Sequence, residues 1–160
     1  VKCHRGVRGG DAYMFRGRFD HTLDPKGRLN LPAKYREILA EKYNDQLYLM
    51  SLADGESLRI YPLKEWEDLE AKVAQFPSMN QHIDNFILQV SYFSFECTLD
   101  KAGRVLIPQT LRDHVGLTRD VTLIGKLKFI EVWDKNKLIS KLEEIKRNTE
   151  FRAYLAGIGI

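Results

Sequence analysis

Two short segments place residues that can do chemistry at one fixed spacing: Asp24-Pro25-Lys26-Gly27-Arg28 and Asp100-Lys101-Ala102-Gly103-Arg104. Each sets a carboxylate four residues before a guanidinium, with a glycine just ahead of the arginine. The first has Asp at i, Pro at i+1 and Gly at i+3, the preferences of a type I turn; the second keeps the Asp and Gly without the Pro. In such a turn the Asp side chain can accept hydrogen bonds from backbone N–H groups of the loop, or from the Arg itself. A guanidinium held this way loses less entropy on meeting a phosphate or a guanine edge than one on a free loop. The same pair can equally be a turn salt bridge that only fixes a hairpin. The residues by themselves leave both readings open.

Charge placement bears on the choice. The whole chain of 160 residues carries only +3, so its total gives no argument for nucleic acid. The charge is polarised by segment, however. Arg16, Arg18, Lys26, Arg28, Lys34 and Arg36 oppose Asp20, Asp24 and Glu37 between residues 14 and 39, a net +3. Residues 56–75 carry Arg59, Lys64 and Lys72 against five acids, a net −2. A local cationic patch around the first turn is the footprint that a polyanionic partner needs.

Catalytic readings find little. His4, His21, His82 and His114 are isolated in the sequence, and no H-E-x-x-H, P-loop, G-x-S-x-G or dinucleotide fingerprint occurs. His82 and Asp84 read as a solvated pair. Cys97, beside Phe93 and Phe95, reads as a small strand hydrophobe rather than a nucleophile. Glu65, Glu67, Asp68 and Glu70 read as a solvated helix face rather than a metal or acid/base cluster. Cys3 and Cys97 are the only cysteines and neither lies in a C-x-x-C, which fits a reducing cytoplasm and gives no disulfide framework and no zinc site. No apolar run approaches the roughly 20 residues of a membrane span. No enzyme activity, cofactor, metal or small-molecule substrate is expected.

The elements that must position the two turns follow from a tandem duplication. Residues 23–36 match residues 99–112 without a gap at an offset of 76 residues. Six of the fourteen pairs are identical, Gly27/Gly103, Pro32/Pro108 and Arg36/Arg112 among them, and chance does not put Gly and Pro in register that densely. In each copy an extended stretch (15–23; 94–99) runs through the turn into a short strand (28–31; 104–107). Pro32 and Pro108 then stand where a helix would begin, as its first residue. Tyr35, Ile38, Leu39 and Tyr43 follow at helical spacing in one copy, Leu111 and Val115 in the other, where Gly116 makes a natural stop. Two further strands flank Ala53-Asp54-Gly55-Glu56 and Gly125-Lys126-Leu127-Lys128, and a closing helix comes next in each copy. Asp134 reads as the cap of the second closing helix. Asn80 and the apolar residues Ile83, Phe86, Ile87 and Val90 mark one more amphipathic helix between the copies. Hairpins this short cannot bury their apolar faces alone, so the copies are expected to form one pseudo-two-fold unit.

The organisation expected is a leader (1–13), a first repeat (15–78), an inter-repeat helix (79–93), a second repeat (94–148) and a C-terminal tail (149–160). The leader has no periodicity and precedes Met14, which reads as the true start with the leader as translated upstream sequence; the alternative is an ordinary disordered N-terminal arm. Arg8-Gly9-Gly10 can be encoded by a purine-rich run placed where a bacterial ribosome-binding site lies. Mass spectrometry of the natural protein checks this, and an intact Val1 would contradict it. Without the leader the net charge falls to +1 over 147 residues.

Met14-Phe15-Arg16-Gly17, the two Asp-x-x-x-Arg turns, Leu58-Arg59-Ile60-Tyr61-Pro62-Leu63 with Trp66, and Gly103-Arg104-Val105-Leu106-Ile107-Pro108 together resemble the bacterial MraZ family. The resemblance runs from Met14 to about Asn148, and that family is related to AbrB-type swapped-hairpin DNA-binding domains. It implies a mixed α/β, β-rich fold, a double-split β pseudo-barrel of two tandem ββαβ-type repeats capped by helices. It also implies a ring homo-oligomer, an octamer, that binds direct repeats in promoter DNA and represses the division and cell-wall gene cluster that includes its own operon. Cytoplasmic, nucleoid-associated placement follows, with no membrane partner. By position, the DNA-facing residues implied are Asp24, Lys26, Arg28, Asp100, Lys101 and Arg104, the Arg residues touching DNA and the Asp residues holding the loop. The second turn lacks Pro25 and has Ala102 in the place of Lys26, so the copies are expected to contribute unequally. The rival reading is a ring-forming scaffold in which the Asp–Arg pairs are structural. RNA binding is weaker, since no RRM-like aromatic signature or KH Gly-x-x-Gly loop occurs.

Overall fold

A computed structural model describes residues 13–160; residues 1–12, and with them the leader expectation, lie outside the described residues. Among the described residues eight strands and six helices follow in order: β1 (Arg18–Thr22), β2 (Arg28–Asn30), α1 (Ala33–Lys42), β3 (Gln46–Met50), β4 (Leu58–Pro62), α2 (Leu63–Val73), α3 (Gln81–Tyr92), β5 (Ser94–Thr98), β6 (Arg104–Leu106), α4 (Gln109–Val115), β7 (Asp120–Gly125), β8 (Ile130–Asp134), α5 (Lys135–Arg147) and α6 (Thr149–Gly157). The fold is mixed α/β and rich in β structure, as the sequence implies.

The strand order shows how the copies are joined. Six antiparallel strands run β1-β7-β8-β4-β3-β5, and β2 pairs with β6 in a small second sheet. The order is a palindrome of the duplication: β1 of the first copy lies on β7 of the second, and β5 of the second lies on β3 of the first. Each copy thus lends its first strand to the other. The sheet stays open, with β1 and β5 at its edges, so no closed barrel forms. Corresponding strands start 76 residues apart at β1/β5 and β2/β6, 74 apart at β3/β7 and 72 apart at β4/β8. The pseudo-two-fold axis therefore passes beside the two pairs made by equivalent residues, Leu29 opposite Val105 and Arg59 opposite Glu131.

One apolar core spans both copies. Leu29, Leu31, Leu47, Leu49, Leu58 and Ile60 pack with Val105, Ile107, Leu111, Val121, Leu123 and Val132, all buried. Burial of this kind stabilises by about 25 cal/mol per Å² of apolar surface, and here it draws on residues of both repeats. Tyr35 sits at its edge, fully buried, and its hydroxyl donates to the carbonyls of Arg16 and Gly17, each at 3.1 Å. Burial pushes the Tyr35 phenol up to about 12.

Local details refine the helix starts. Pro32 and Pro108 are N-caps rather than first helical residues, one position earlier than expected. Each carbonyl still accepts the opening bond, from Arg36 N and Arg112 N at 3.0 Å. Gly116 ends α4 in the left-handed region at φ 67°, and Asp134 caps α5 by accepting from Lys137 N. The segment 149–160 holds α6, capped by Asn148, whose side chain accepts from Phe151 N at 3.0 Å. Helices α5 and α6 bury no residue, and Ile139, Leu142, Phe151, Tyr154 and Ile158 are exposed. No helix among the described residues is long and apolar enough to cross a membrane.

Candidate nucleic-acid interface

Both Asp-x-x-x-Arg segments form the same loop, bond for bond. Asp24 Oδ1 accepts from Lys26 N and Arg28 N, each at 2.9 Å, and Oδ2 accepts from Arg28 Nε at 2.5 Å. Asp100 Oδ1 accepts from Ala102 N and Arg104 N, each at 2.9 Å, and Oδ2 accepts from Arg104 Nε at 2.8 Å. The backbone closes each loop with Gly27 N to Asp24 O at 2.9 Å and Gly103 N to Asp100 O at 3.0 Å. Gly27 and Gly103 take φ of 81° and 77°, conformations open to glycine at no steric cost. The structure thus brings the carboxylate and guanidinium of each turn together. Pro25, Lys26, Lys101 and Ala102 stand exposed at the loop tips.

This geometry does two things chemically. The Arg commits Nε to its carboxylate and keeps both amino groups for an outside acceptor, at a side chain about one third exposed (31% for Arg28, 33% for Arg104). The Asp accepts three hydrogen bonds within its own turn, so it orders the loop and sets its charge against that of the Arg. Backbone donation from Arg28 and Arg104, then their side chains, hold the two carboxyls below the usual carboxylate range against the opposing effect of desolvation. A carboxyl depressed in the folded state contributes its order above the ordinary carboxylate range and loses it as pH falls through the lowered value. Both loops are therefore expected to stay ordered near pH 5 and to loosen only in stronger acid. Backbone amide shifts of Lys26, Arg28, Ala102 and Arg104 followed by NMR on acidification check this, and loosening already between about pH 7 and 5 would contradict it.

The loops are braced from the opposite repeat, which sequence reading missed. Ile107 N donates to Gly27 O and Leu31 N to Gly103 O, each at 3.0 Å. The Arg112 guanidinium lies so close over Gly27 that a Cβ there would meet its Cζ at 2.5 Å, and Arg36 lies likewise over Gly103, with its Cδ within 2.4 Å. Arg36 and Arg112 are one of the identical pairs of the duplication. That identity was the only available signal, because each residue's glycine sits in the other copy.

The remaining candidates take ordinary structural places. Cys97 lies in β5 opposite Leu47, and burial pushes its thiol up to about 11, leaving it protonated at neutral pH. His114 stacks on Phe93 with ring centroids 3.7 Å apart, and its Nε2 lies 2.8 Å from Leu52 O. Glu65 accepts from the Tyr43 hydroxyl at 2.6 Å and Asp68 pairs with Lys64 at 2.7 Å. No cluster of three or more His, Cys, Asp or Glu that could hold a metal occurs among the described residues.

Fold and loops together define a class: a tandem-repeat protein whose crossed halves present two equivalent Asp–Arg turns. The chain matches the family model described as MraZ protein over residues 14–86 and 94–155. It is 37% identical over 147 residues to the transcriptional regulator MraZ of Acidobacterium capsulatum, covering 92% of this chain and all of that protein. It is 40% identical over 124 residues to the transcriptional regulator MraZ of Acetivibrio thermocellus (78% and 83% of the two chains) and 39% identical over 134 residues to that of Klebsiella pneumoniae (82% and 86%). This chain belongs to the MraZ family.

Proposed function

We propose that the protein is a DNA-binding transcriptional regulator that grips duplex DNA through its two Asp-x-x-x-Arg loops, with Arg28 and Arg104 as contacting groups and Asp24 and Asp100 as holders. Lys26 and Lys101 add exposed charge at the loop tips. The observation that carries this reading is the identical pre-ordering of two partly exposed guanidiniums on hairpins crossed between the repeats. The names of the relatives support the regulatory class. The finer reading is a repressor of the division and cell-wall gene cluster, its own operon included, acting on direct promoter repeats as a nucleoid-associated cytoplasmic ring, an octamer.

A single chain offers few phosphate contacts, so its affinity alone is weak and steeply salt-dependent. A ring engaging successive repeats raises the effective concentration of the second and later loops and multiplies avidity. The exposed apolar residues of α5 and α6 favour assembly with further copies, and they equally support the second reading, a ring-forming scaffold in which the Asp–Arg pairs are structural. Competition at physiological salt between a duplex of the DNA upstream of this gene and a random duplex separates the two. A regulator prefers its upstream DNA by about 10³-fold or more; a ratio near one leaves the scaffold.

A further inference from the structure

The pseudo-two-fold unit raises a difficulty for reading direct repeats. Two equivalent loops related by a two-fold axis suit a palindrome, whereas a direct repeat has a direction. The halves must therefore differ somewhere near the loops. They differ at the loop tips, where Pro25 and Lys26 correspond to Lys101 and Ala102, and at one further equivalent pair beside the loops.

Beside the first loop an open recess of about 700 Å³ is lined by Thr22, Asp24, Pro25, Arg112, Thr118 and Arg119, with Leu23 and Leu117 at its floor. Leu23 N donates to Arg119 O at 2.8 Å, and the equivalent bond beside the second loop joins Leu99 N to Asp45 O, also at 2.8 Å. Asp45 thus occupies in the first copy the place that Arg119 occupies in the second. Both are exposed, and neither forms an ion pair among the described residues. Arg112 is anchored by its Nε, which donates to Ile107 O at 3.0 Å, and its guanidinium caps Gly27. The one acid in the recess, Asp24, already accepts three hydrogen bonds and is paired with Arg28.

We propose that the recess formed by Arg112 and Arg119 beside the first loop is a backbone-phosphate subsite of the DNA duplex, and that its counterpart beside the second loop is closed to phosphate by Asp45. The first loop and its recess bring four cations, Lys26, Arg28, Arg112 and Arg119, to one end of the unit. The second brings three, Lys101, Arg104 and Arg36, together with the carboxylate of Asp45. This gives the unit a polarity that its backbone symmetry lacks. Arg112 comes from the opposite repeat to the loop it serves, so the subsite exists only in the crossed dimer of repeats. The inference rests on the loop reading above and names the additional group that reading needs.

The test is the salt dependence of binding of the full chain to a random-sequence duplex, since phosphate contacts carry no sequence information. Each lost phosphate contact lowers the slope of log K against log salt by about 0.9 and costs roughly fivefold in affinity at 0.15 M salt. Arg119→Ala and Arg112→Ala are each expected to show that change, and Asp45→Arg the opposite one, a steeper slope and tighter binding. Arg119 and Asp45 are surface residues, so their variants keep the test intact if Arg112→Ala unfolds. Wild-type slopes for Arg119→Ala and Asp45→Arg, with Arg28→Ala still defective, overturn the subsite alone. Wild-type binding by Arg28→Ala overturns the loop reading first and the subsite with it.

Discussion

Replacing Arg28 and Arg104 together with Ala is expected to abolish specific binding to promoter DNA while leaving the melting temperature within a few degrees of the parent. A well-placed Arg–base contact contributes about 1–3 kcal/mol of discrimination, so two lost contacts cost a single chain on the order of 10²-fold or more. In a ring the loss repeats at every subunit and compounds. Stability changes little because each pair is a partly exposed ion pair of modest worth. Asp24 and Asp100 also keep their backbone donors, so the loops stay ordered. Electrophoretic mobility shift and thermal melting of the same preparation check both halves. Parallel loss of binding and stability would mean that the pairs act as structural staples.

Leu29→Ala is expected to give that opposite pattern. Leu29 is fully buried at the pseudo-two-fold axis, opposite the equally buried Val105. Truncating a buried Leu costs about 2–5 kcal/mol, and at this chain length each kcal/mol lowers Tm by roughly 2–4 °C. The β2–β6 sheet has only three residue pairs, so the cavity removes its central one. Both loops hang from that sheet, and binding is expected to fall with stability. A variant that melts lower by roughly 10 °C yet binds promoter DNA like the parent would show that the loops are positioned independently of the axis.

The contrast between these variants reflects which parts of the fold are written locally. The Asp-x-x-Gly-Arg turns were readable because every bond in them joins residues within four positions. Gly27 and Gly103 mark left-handed backbone, and Asp24 and Asp100 are the acceptors the turn requires. The duplication was readable as a gapless match of residue types, and the cap at Asp134 as a local signal. The partners across the repeats were not. Nothing in the residues 18–22 says that they pair with 120–124 rather than within their own copy; that choice is set by how two incomplete apolar faces cover one another. Arg36 and Arg112 stood in the sequence match, yet their closeness to Gly103 and Gly27 depends wholly on that crossing.

The hairpin after β7 shows a second reason. Residues 125–128 read as a loop, but Phe15 and Leu127 bridge, Phe15 N donating to Leu127 O at 2.7 Å and Leu127 N to Phe15 O at 2.9 Å. Leu127 takes a positive φ of 67°, which sequence patterns assign to Gly or Asn. The long-range bridge to Phe15 holds it there, so the local rule fails at a site fixed by tertiary contact. The helix α6 was not read from the sequence, where 149–160 stands as a tail: its exposed apolar residues find no cover among the described residues, so no packing pattern marked it, although its cap Asn148 is a local signal.

The central claim is that residues 24–28 and 100–104 touch DNA. Hydrogen–deuterium exchange of the full chain, with and without a duplex of its own upstream DNA, reads this directly. The account predicts added protection concentrated in those two loops and in the flanking segment around Arg112 and Arg119. Protection confined to α5 and α6, with both loops unchanged, would contradict it.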